Sequence, residues 1–431
     1  MSTFQRYMGT WIVLVLWICA ISQTCSGYSV LTHEQIVDLL WADQIAPLLL
    51  QKYPGTTPEE LRTAHAYAYG GCLIQDMGYY PFGNRFFSDL VHYVRSGDFV
   101  AALLSEAADV NEYAFALGAL SHYASDITGH PVVNAAVAQE FPKLRKKFGR
   151  AVTFEQDPRS HIRTEFGFDV VQVAQQRYTS DSYHDFIGFQ VSKPVLERAF
   201  LKTYGVALKD IILNLDLSIG SFRWSISSIV PEMTRVALLL KKDELVKENF
   251  TFAKKKFLYN LKRADYEREW GKTYQKPGIG ARIFAVLFRL MPKRGPFKAL
   301  KFQMPSPDTE TMYLKSVNAT VDQDRAYLKG VAAQTVILPN TDFDTGKPTR
   351  AGEYQLTDAA YAKLLNKLAD AKFAQVPDSL RLNILEFYKD PNAVIATKRK
   401  AEEWSRTLKN IEQLKLIAAA APTASTAEPL P

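Results

Sequence analysis

The stretch that decides the fold and chemistry of this chain lies between residues 121 and 165. It contains Ser121-His-Tyr-Ala-Ser-Asp-Ile-Thr-Gly-His130 and, further on, Ser160-His-Ile-Arg-Thr-Glu165. In both parts a histidine is followed four residues later by a carboxylate: His122 by Asp126, and His161 by Glu165. Residues four apart share one face of a helix, so each pair can present an imidazole and a carboxylate to one ion.

A single pair of this kind is more often a surface hydrogen bond or salt bridge than a set of metal ligands. Two pairs and His130 fall within 45 residues of a chain that has only 7 histidines. This concentration favours a metal cluster, and nitrogen and oxygen donors without a thiolate suit zinc.

The composition is that of a folded globular protein. The 431 residues are 47% apolar and 23% charged, enough for one large or two medium cores. Residues 1–27 are typical of a secretory signal, with Arg6 before an apolar run and small residues ahead of Tyr28. We therefore expect an exported protein, periplasmic or secreted; the alternatives are an uncleaved membrane anchor and, less favoured by the residues before it, a lipid-modified Cys25. A mature chain would retain one thiol, Cys72.

Apolar residues recur at helical spacing along most of the chain, and no run of alternating strands is present, so the sequence predicts an all-α fold. The segment between Tyr113 and Leu120 is apolar on nearly every side, which predicts a central buried helix over 111–127. Further helices are predicted over 206–214 and over 219–240, the latter kinked at Pro231. Residues 305–352 are predicted to be rich in loops.

The character of the chain changes after about residue 245. Between Lys241 and Lys301 there are 17 Lys and Arg against 6 Asp and Glu. The segment 277–302 alternates apolar and basic residues and is too short to span a bilayer. It could contact a membrane peripherally or pack on the core with a basic rim. We predict a first domain over 28–245, for which the resemblance described below implies catalysis, a basic and mostly helical extension over 246–416, and a disordered tail over 417–431.

The order and spacing of the candidate ligands resemble those of the zinc-dependent phospholipase C superfamily, which includes the single-strand nucleases of fungi and plants. The resemblance covers about residues 28–245. It implies an all-α domain, up to three zinc ions and a free N-terminus as a ligand. The candidates are the Tyr28 amine, His33, Asp76, His92, His122, Asp126, His130, His161 and Glu165.

Carried over by motif, the resemblance implies three sites. The first is Asp76, His92, His122 and Asp126; the second is His130, His161 and Glu165; the third is Tyr28, His33 and a bridging Asp126. Tyr28 stands where the family usually has tryptophan. The three residues between Asp126 and His130 are fewer than the family usually has.

The resemblance also implies phosphodiester hydrolysis, with Asp76 both a ligand and a catalytic base. Aromatic residues after Asp76 could form the wall of the substrate pocket, where they suit a quaternary ammonium headgroup or a stacked base. They are Tyr79, Tyr80 and Phe82. The leading interpretation is an exported phospholipase acting on headgroups. The alternatives are a single-strand nuclease, which would bind nucleic acid, and a membrane-surface protein that holds metal for stability only.

Overall fold

A computed structural model describes residues 29–175, 178, 187–240, 302 and 304–417. The described chain is all-α, as predicted, apart from one hairpin of two two-residue strands, β1 (Thr341–Asp342) and β2 (Lys347–Pro348). Among the described helices, none has the length and apolar content needed to cross a membrane.

The helices before the long undescribed segment are bounded as follows: α1 (Val30–Leu40), α2 (Ala46–Lys52), α3 (Pro58–Gly71), α4 (Arg85–Tyr93), α5 (Ser96–Glu106), α6 (Val110–Glu140), α7 (Pro142–Phe148), α8 (Pro158–Ala174), α9 (Lys193–Tyr204), α10 (Leu215–Trp224) and α11 (Val230–Leu240). Shorter turns of 3-10 or π helix lie at Trp41–Ile45, Ile74–Tyr79, Leu208–Asp210 and Ser225–Ile229.

The helices after it are α12 (Pro307–Ala332), α13 (Gln355–Asp370), α14 (Asp378–Phe387) and α15 (Ala401–Lys415), with a 3-10 turn at Ala396–Arg399.

Helix α6 is the centre of the molecule, and α3 approaches it very closely. Asp109 caps the first turn of α6 by accepting hydrogen bonds from the backbone of Asn111 and Glu112. A Cβ on Gly71 would lie 1.9 Å from the carbonyl oxygen of Phe115, and one on Gly118 would lie 2.0 Å from that of Ala68. Only glycine permits this contact, which brings the end of α3 beside the middle of α6.

The residues after 304 pack into the same core as those before 240. Helix α12 lies along α6, and its residues Tyr313, Val317 and Val321 are buried in one continuous apolar cluster with residues of the earlier helices. Chain order alone would not reveal this, because α12 follows α6 by more than 160 residues. The boundary at residue 245 stays a prediction, but 304–417 and the earlier helices form one packed body.

Three expectations about helices were wrong. Helix α6 does not stop at residue 127 but continues through Pro131 to Glu140, so His130 lies on the same helix as His122. Residues 206–214 hold only the 3-10 turn at Leu208–Asp210. Residues 305–352, predicted to be loops, contain the 26-residue helix α12, capped by the side chain of Ser306.

The irregularity expected at Pro231 lies just before it, as the π turn Ser225–Ile229. Tyr28 and the rest of 1–28, nearly all of 277–302 and most of 417–431 lie outside the described residues. The predictions made for those segments therefore remain predictions.

Candidate metal centre

Helix α6 supplies three members of a buried cluster from one face. His122, Asp126 and His130 follow one another at intervals of four residues, so they lie one above the other along the helix. All three are fully buried. The Nε2 atoms of His122 and His130 lie 3.1 and 3.5 Å from Oδ2 of Asp126. The spacing between Asp126 and His130 that is short for the family is thus one turn of a continuous helix.

Helices α1 and α4 bring two more histidines to Asp126. Nε2 of His33 lies 3.4 Å from Oδ1 of Asp126, and its ring stacks on that of His122 with centroids 4.5 Å apart. Nε2 of His92 lies 3.5 Å from Oδ2 of Asp126 and 3.4 Å from Oδ1 of Asp76 in the 3-10 turn. Asp126 is therefore shared by histidines from three helices.

Helix α8 adds the second pair. Nδ1 of His161 lies 3.2 Å from Oε1 of Glu165, and the rings of His161 and His130 have centroids 6.4 Å apart. Both residues are buried. The two His–carboxylate pairs of the sequence therefore lie in one buried group of side chains.

Backbone carbonyls fix the direction of three of these imidazoles. Nδ1 of His92 is 2.8 Å from the carbonyl oxygen of Ser88, and Nδ1 of His122 is 2.8 Å from that of Cys72. In His161 the roles are reversed, since Nε2 lies 2.6 Å from the carbonyl oxygen of Val152. In each ring one nitrogen donates to a carbonyl, and the other is left as a lone-pair donor facing the cluster.

Asp169, one turn beyond Glu165 on α8, holds the start of α1. Its carboxylate accepts hydrogen bonds from the backbone of Leu31 (2.9 Å) and Thr32 (3.1 Å) and from the Thr32 hydroxyl (2.6 Å). Helix α1 has no side-chain cap of its own at Ser29. Asp169 thereby provides hydrogen-bond acceptors for the backbone N–H groups in the first turn of α1, and it fixes the position of His33 on that helix.

The donor atoms of the cluster fit a set of zinc ligands better than a set of hydrogen bonds. Within the described residues, three adjoining groups have donor atoms within 4.8 Å of one another: His33, His122 and Asp126; Asp76, His92 and His122; and His130, His161 and Glu165. Ligand atoms that share a tetrahedral zinc ion lie about 3.3–3.6 Å apart, given metal–ligand distances of about 2.0–2.2 Å.

Several of these buried atoms have no hydrogen-bond partner of acceptable geometry. They are Oδ1 of Asp76, Nε2 of His92 and His122, both carboxylate oxygens of Asp126 and both ring nitrogens of His130. Leaving one such atom unsatisfied costs about 1–3 kcal/mol, and a metal ion in the cluster would give a whole group of them a partner. The residues present therefore fit zinc.

Without an ion, the cluster distributes its protons unequally. Burial lowers the pKa of His33 to about 3 and that of His161 to about 4. Burial also acts on His92 and His130, but contacts with carboxylates outweigh it and raise their pKa values to about 10 and about 9. Burial raises the pKa of Glu165 well above its usual value. Zinc requires neutral imidazole and carboxylate ligands, so its binding would displace protons from this cluster.

The three aromatic residues predicted to form the wall of the substrate pocket differ in their burial and in their neighbours. Tyr79 is buried, and its ring centroid lies 5.9 Å from that of His92. Tyr80 packs edge-on against Phe222 with centroids 4.9 Å apart. Phe82 is 47% exposed and has a positive φ of 62°. The structure places Tyr79 beside the metal cluster, and the role of all three in binding substrate stays a prediction.

Reasoning from the sequence missed two residues that adjoin the cluster from the loop after α12. The ring of Phe343 lies 5.0 Å from that of His92, and Oδ1 of Asp344 lies 3.4 Å from Nε2 of His130. No helical spacing connects residues more than 200 positions apart. The only signal was local: two acids flank a phenylalanine in Asp342-Phe-Asp344, within a segment taken for an ordinary loop.

The described chain is thus a helical protein with a buried cluster of imidazole and carboxylate donors, the type of site that binds zinc. Residues 32–213 match the family model described as zinc dependent phospholipase C, which supports the resemblance to that superfamily. The match ends before α12 and the loop that carries Asp344. No curated protein and no solved structure matches the chain.

Proposed function

We propose that the protein is an exported phosphodiesterase that hydrolyses the headgroup phosphodiester of phospholipids with up to three zinc ions. The observation that supports this most strongly is that the three donor groups adjoin one another: two of them share His122, and His130 of the third lies 3.5 Å from Asp126 of the first. A purely structural zinc site is usually a single ion held by four ligands. A shared cluster is instead the arrangement that two or more ions need to act on one phosphate.

One ion would be held by Asp76, His92, His122 and Asp126, a second by His130, His161 and Glu165, and a third by His33, Asp126 and the Tyr28 amine. Zinc ions bound there would polarise the phosphate and lower the pKa of a water molecule. The carbonyls of Ser88, Cys72 and Val152 hold the imidazoles in their ligating tautomers.

Asp76 is the residue we propose as the catalytic base. It lies at the edge of the cluster with 3% of its surface exposed, whereas Asp126 at the centre has none. Its Oδ1 faces His92, and no hydrogen bond occupies that oxygen. A carboxylate in this position can accept a proton from an attacking water and orient it. Tyr79 beside it would contact the substrate headgroup.

Export is proposed because it would create the third site. Ser29, the residue that precedes α1, stands four positions before His33. Removal of residues 1–27 would convert the amide of Tyr28 into an α-amine, which is a good ligand once deprotonated. The basic segment 277–302 would contact anionic headgroups peripherally.

The test measures turnover by zinc-loaded protein that begins at Tyr28, on phosphatidylcholine vesicles and on single-stranded DNA. We expect hydrolysis of the lipid and a loss of at least about 100-fold in kcat for Asp76→Asn. Asp89→Asn is the matched control, because Asp89 lies on α4 but pairs with Arg85 rather than with the cluster. Turnover of DNA alone would establish the nuclease instead. Zinc binding without turnover of either substrate would support a metal that serves stability only.

A further inference from the structure

The loop between α12 and α13 lies directly against the metal cluster. The backbone N–H of Phe343 donates to the carbonyl oxygen of His92 at 3.3 Å, and the Phe343 ring packs on the His92 ring. Further along the loop, Gly346 has a positive φ of 67°, and a Cβ there would lie 2.7 Å from the carbonyl oxygen of Ile127. Pro131 has no N–H to donate to that carbonyl, which leaves room for the loop at this point of α6.

Asp344 is the residue of this loop that enters the cluster. It is fully buried, and its Oδ2 accepts hydrogen bonds from the hydroxyls of Tyr93, at 3.0 Å, and Tyr354. Its backbone carbonyl accepts a hydrogen bond from the Asn134 side chain at 2.7 Å. These contacts fix the carboxylate so that its other oxygen, Oδ1, lies 3.4 Å from Nε2 of His130.

The surroundings of His130 are those of a metal ligand with a carboxylate on each side. Its Nε2 lies 3.4 Å from Asp344 and 3.5 Å from Asp126, and neither ring nitrogen makes a hydrogen bond. Both distances match the separation of two ligand atoms on one zinc ion, about 3.3–3.6 Å. A fully buried carboxylate is costly unless a cation compensates it.

We propose that Asp344 is a fourth protein ligand of the zinc ion held by His130, His161 and Glu165. This inference rests on the proposed function, because it requires that zinc binds the cluster at all. The ligand would come from outside the segment that matches the family, so residues after α12 would complete this site. A tetrahedral zinc ion with four protein ligands has its coordination filled, so Asp344 would complete this site.

The first test compares zinc content at equilibrium for Asp344→Asn and Asp342→Asn. Asparagine retains the shape of Asp344 and an oxygen for the two tyrosine hydroxyls but removes the charged donor. Asp342 is an equally buried acid of the same loop, whose carboxylate bonds Thr345 and Thr357 instead. We expect Asp344→Asn to bind one zinc fewer per chain, or to bind it at least about 10-fold more weakly, and Asp342→Asn to bind as the parent does.

Equal zinc content and affinity in Asp344→Asn and the parent would overturn the inference while leaving the proposed function intact. A parent that binds no zinc would overturn both.

The second test uses Asp344→Cys loaded with Co²⁺ in place of zinc. A thiolate bound directly to Co²⁺ produces an intense near-ultraviolet charge-transfer band, whereas a thiol that only neighbours the ligands does not. We expect this band in Asp344→Cys and not in the parent, which controls for Cys72. A variant that binds Co²⁺ without the band would show that residue 344 is not a ligand. This readout does not depend on activity or on the outcome of the first test.

Discussion

The histidine side chains in this cluster differ in which ring nitrogen faces the proposed ions. The difference depends on which ring nitrogen lies next to a backbone carbonyl. His122 and His92 present Nε2, because a carbonyl takes Nδ1, whereas His161 presents Nδ1. The sequence was sufficient to predict that these residues share a site, since spacing by four is a property of any helix. It was not sufficient to predict their tautomers, because these depend on carbonyls of Cys72 and Val152 that tertiary packing brings into place.

His65 is a buried histidine that does not belong to the metal cluster. It is as buried as the cluster histidines, but its Nε2 lies 2.9 Å from Oδ1 of Asp38 and its ring stacks on Trp41. These contacts give His65 a packing role outside the metal cluster. This residue therefore serves as a buried histidine outside the cluster for comparison.

Asp324 on α12 provides a prediction about pH. Burial raises its pKa to about 7, and although the Ser121 hydroxyl lies near, its carboxylate oxygens make no hydrogen bond of acceptable geometry. Because the pKa is higher in the folded state than in the unfolded chain, the folded state retains a proton that the unfolded chain has lost. Its ionisation therefore reduces stability as pH rises from about 4 to about 7.

We expect Asp324→Asn to be more stable than the parent by about 1–3 kcal/mol at pH 8, with the gain falling towards zero near pH 4. Thermal unfolding at both pH values measures this. Asp322→Asn, an exposed acid on the same helix, should show no such dependence. A difference between Asp324→Asn and the parent that does not change with pH would contradict the assignment.

At the scale of elements, α6 departs most from the sequence prediction. The sequence predicts a helix that ends at residue 127, before Gly129 and Pro131, and proline in a helix interior costs about 3 kcal/mol. The helix continues because the residues around Pro131 are fixed by packing: Val133 and Ala136 are fully buried, and the loop at Gly346 packs beside Pro131. Tertiary contacts of this kind outweigh local propensity, and no sequence window contains them.

Helix α12 was missed for a related reason. Its buried residues, among them Tyr313, Val317, Val321 and Leu328, are separated by many polar positions, so the apolar stripe is narrow. The stripe is sufficient because it faces α6, which is apolar on nearly every side. The prediction of the central helix was confirmed, while the helix that covers it could be recognised only once the two were placed together.

The hydrogen bonds from the start of α1 to Asp169 on α8 lead to a prediction about these two helices. Asp169→Ala removes the hydrogen bonds at the start of α1 and should destabilise the protein by about 1–3 kcal/mol. It should also weaken zinc binding, because α1 carries His33. Asp109→Ala removes a comparable cap from α6 at a distance of 13 residues from His122 and controls for the loss of stability alone.

Zinc titration monitored by equilibrium dialysis, with thermal unfolding of the same samples, separates the two effects. If both variants bind zinc equally well, Asp169 serves only as a helix cap and does not position His33.

For the whole molecule, the sequence predicted the fold class and the matching family more successfully than it predicted the arrangement of the parts. The resemblance over 28–245 is supported by the family match to residues 32–213. The resemblance did not include residues 304–417, which pack on that domain. Their helix α12 covers part of the central helix α6, and their loop brings Asp344 to His130. Such contacts join positions about 200 residues apart, and only the folded chain shows them.

The central claim is that the buried donors form a zinc cluster, and the most direct measurement is the zinc content per chain of purified protein beginning at Tyr28. We expect two to three zinc ions, with most of this metal lost in His122→Ala and in Asp126→Asn, and a lower thermal unfolding temperature after chelation. His65→Ala should unfold more readily but keep its zinc, since His65 lies outside the cluster. Full zinc content in both cluster variants, or none in the parent, would contradict the account.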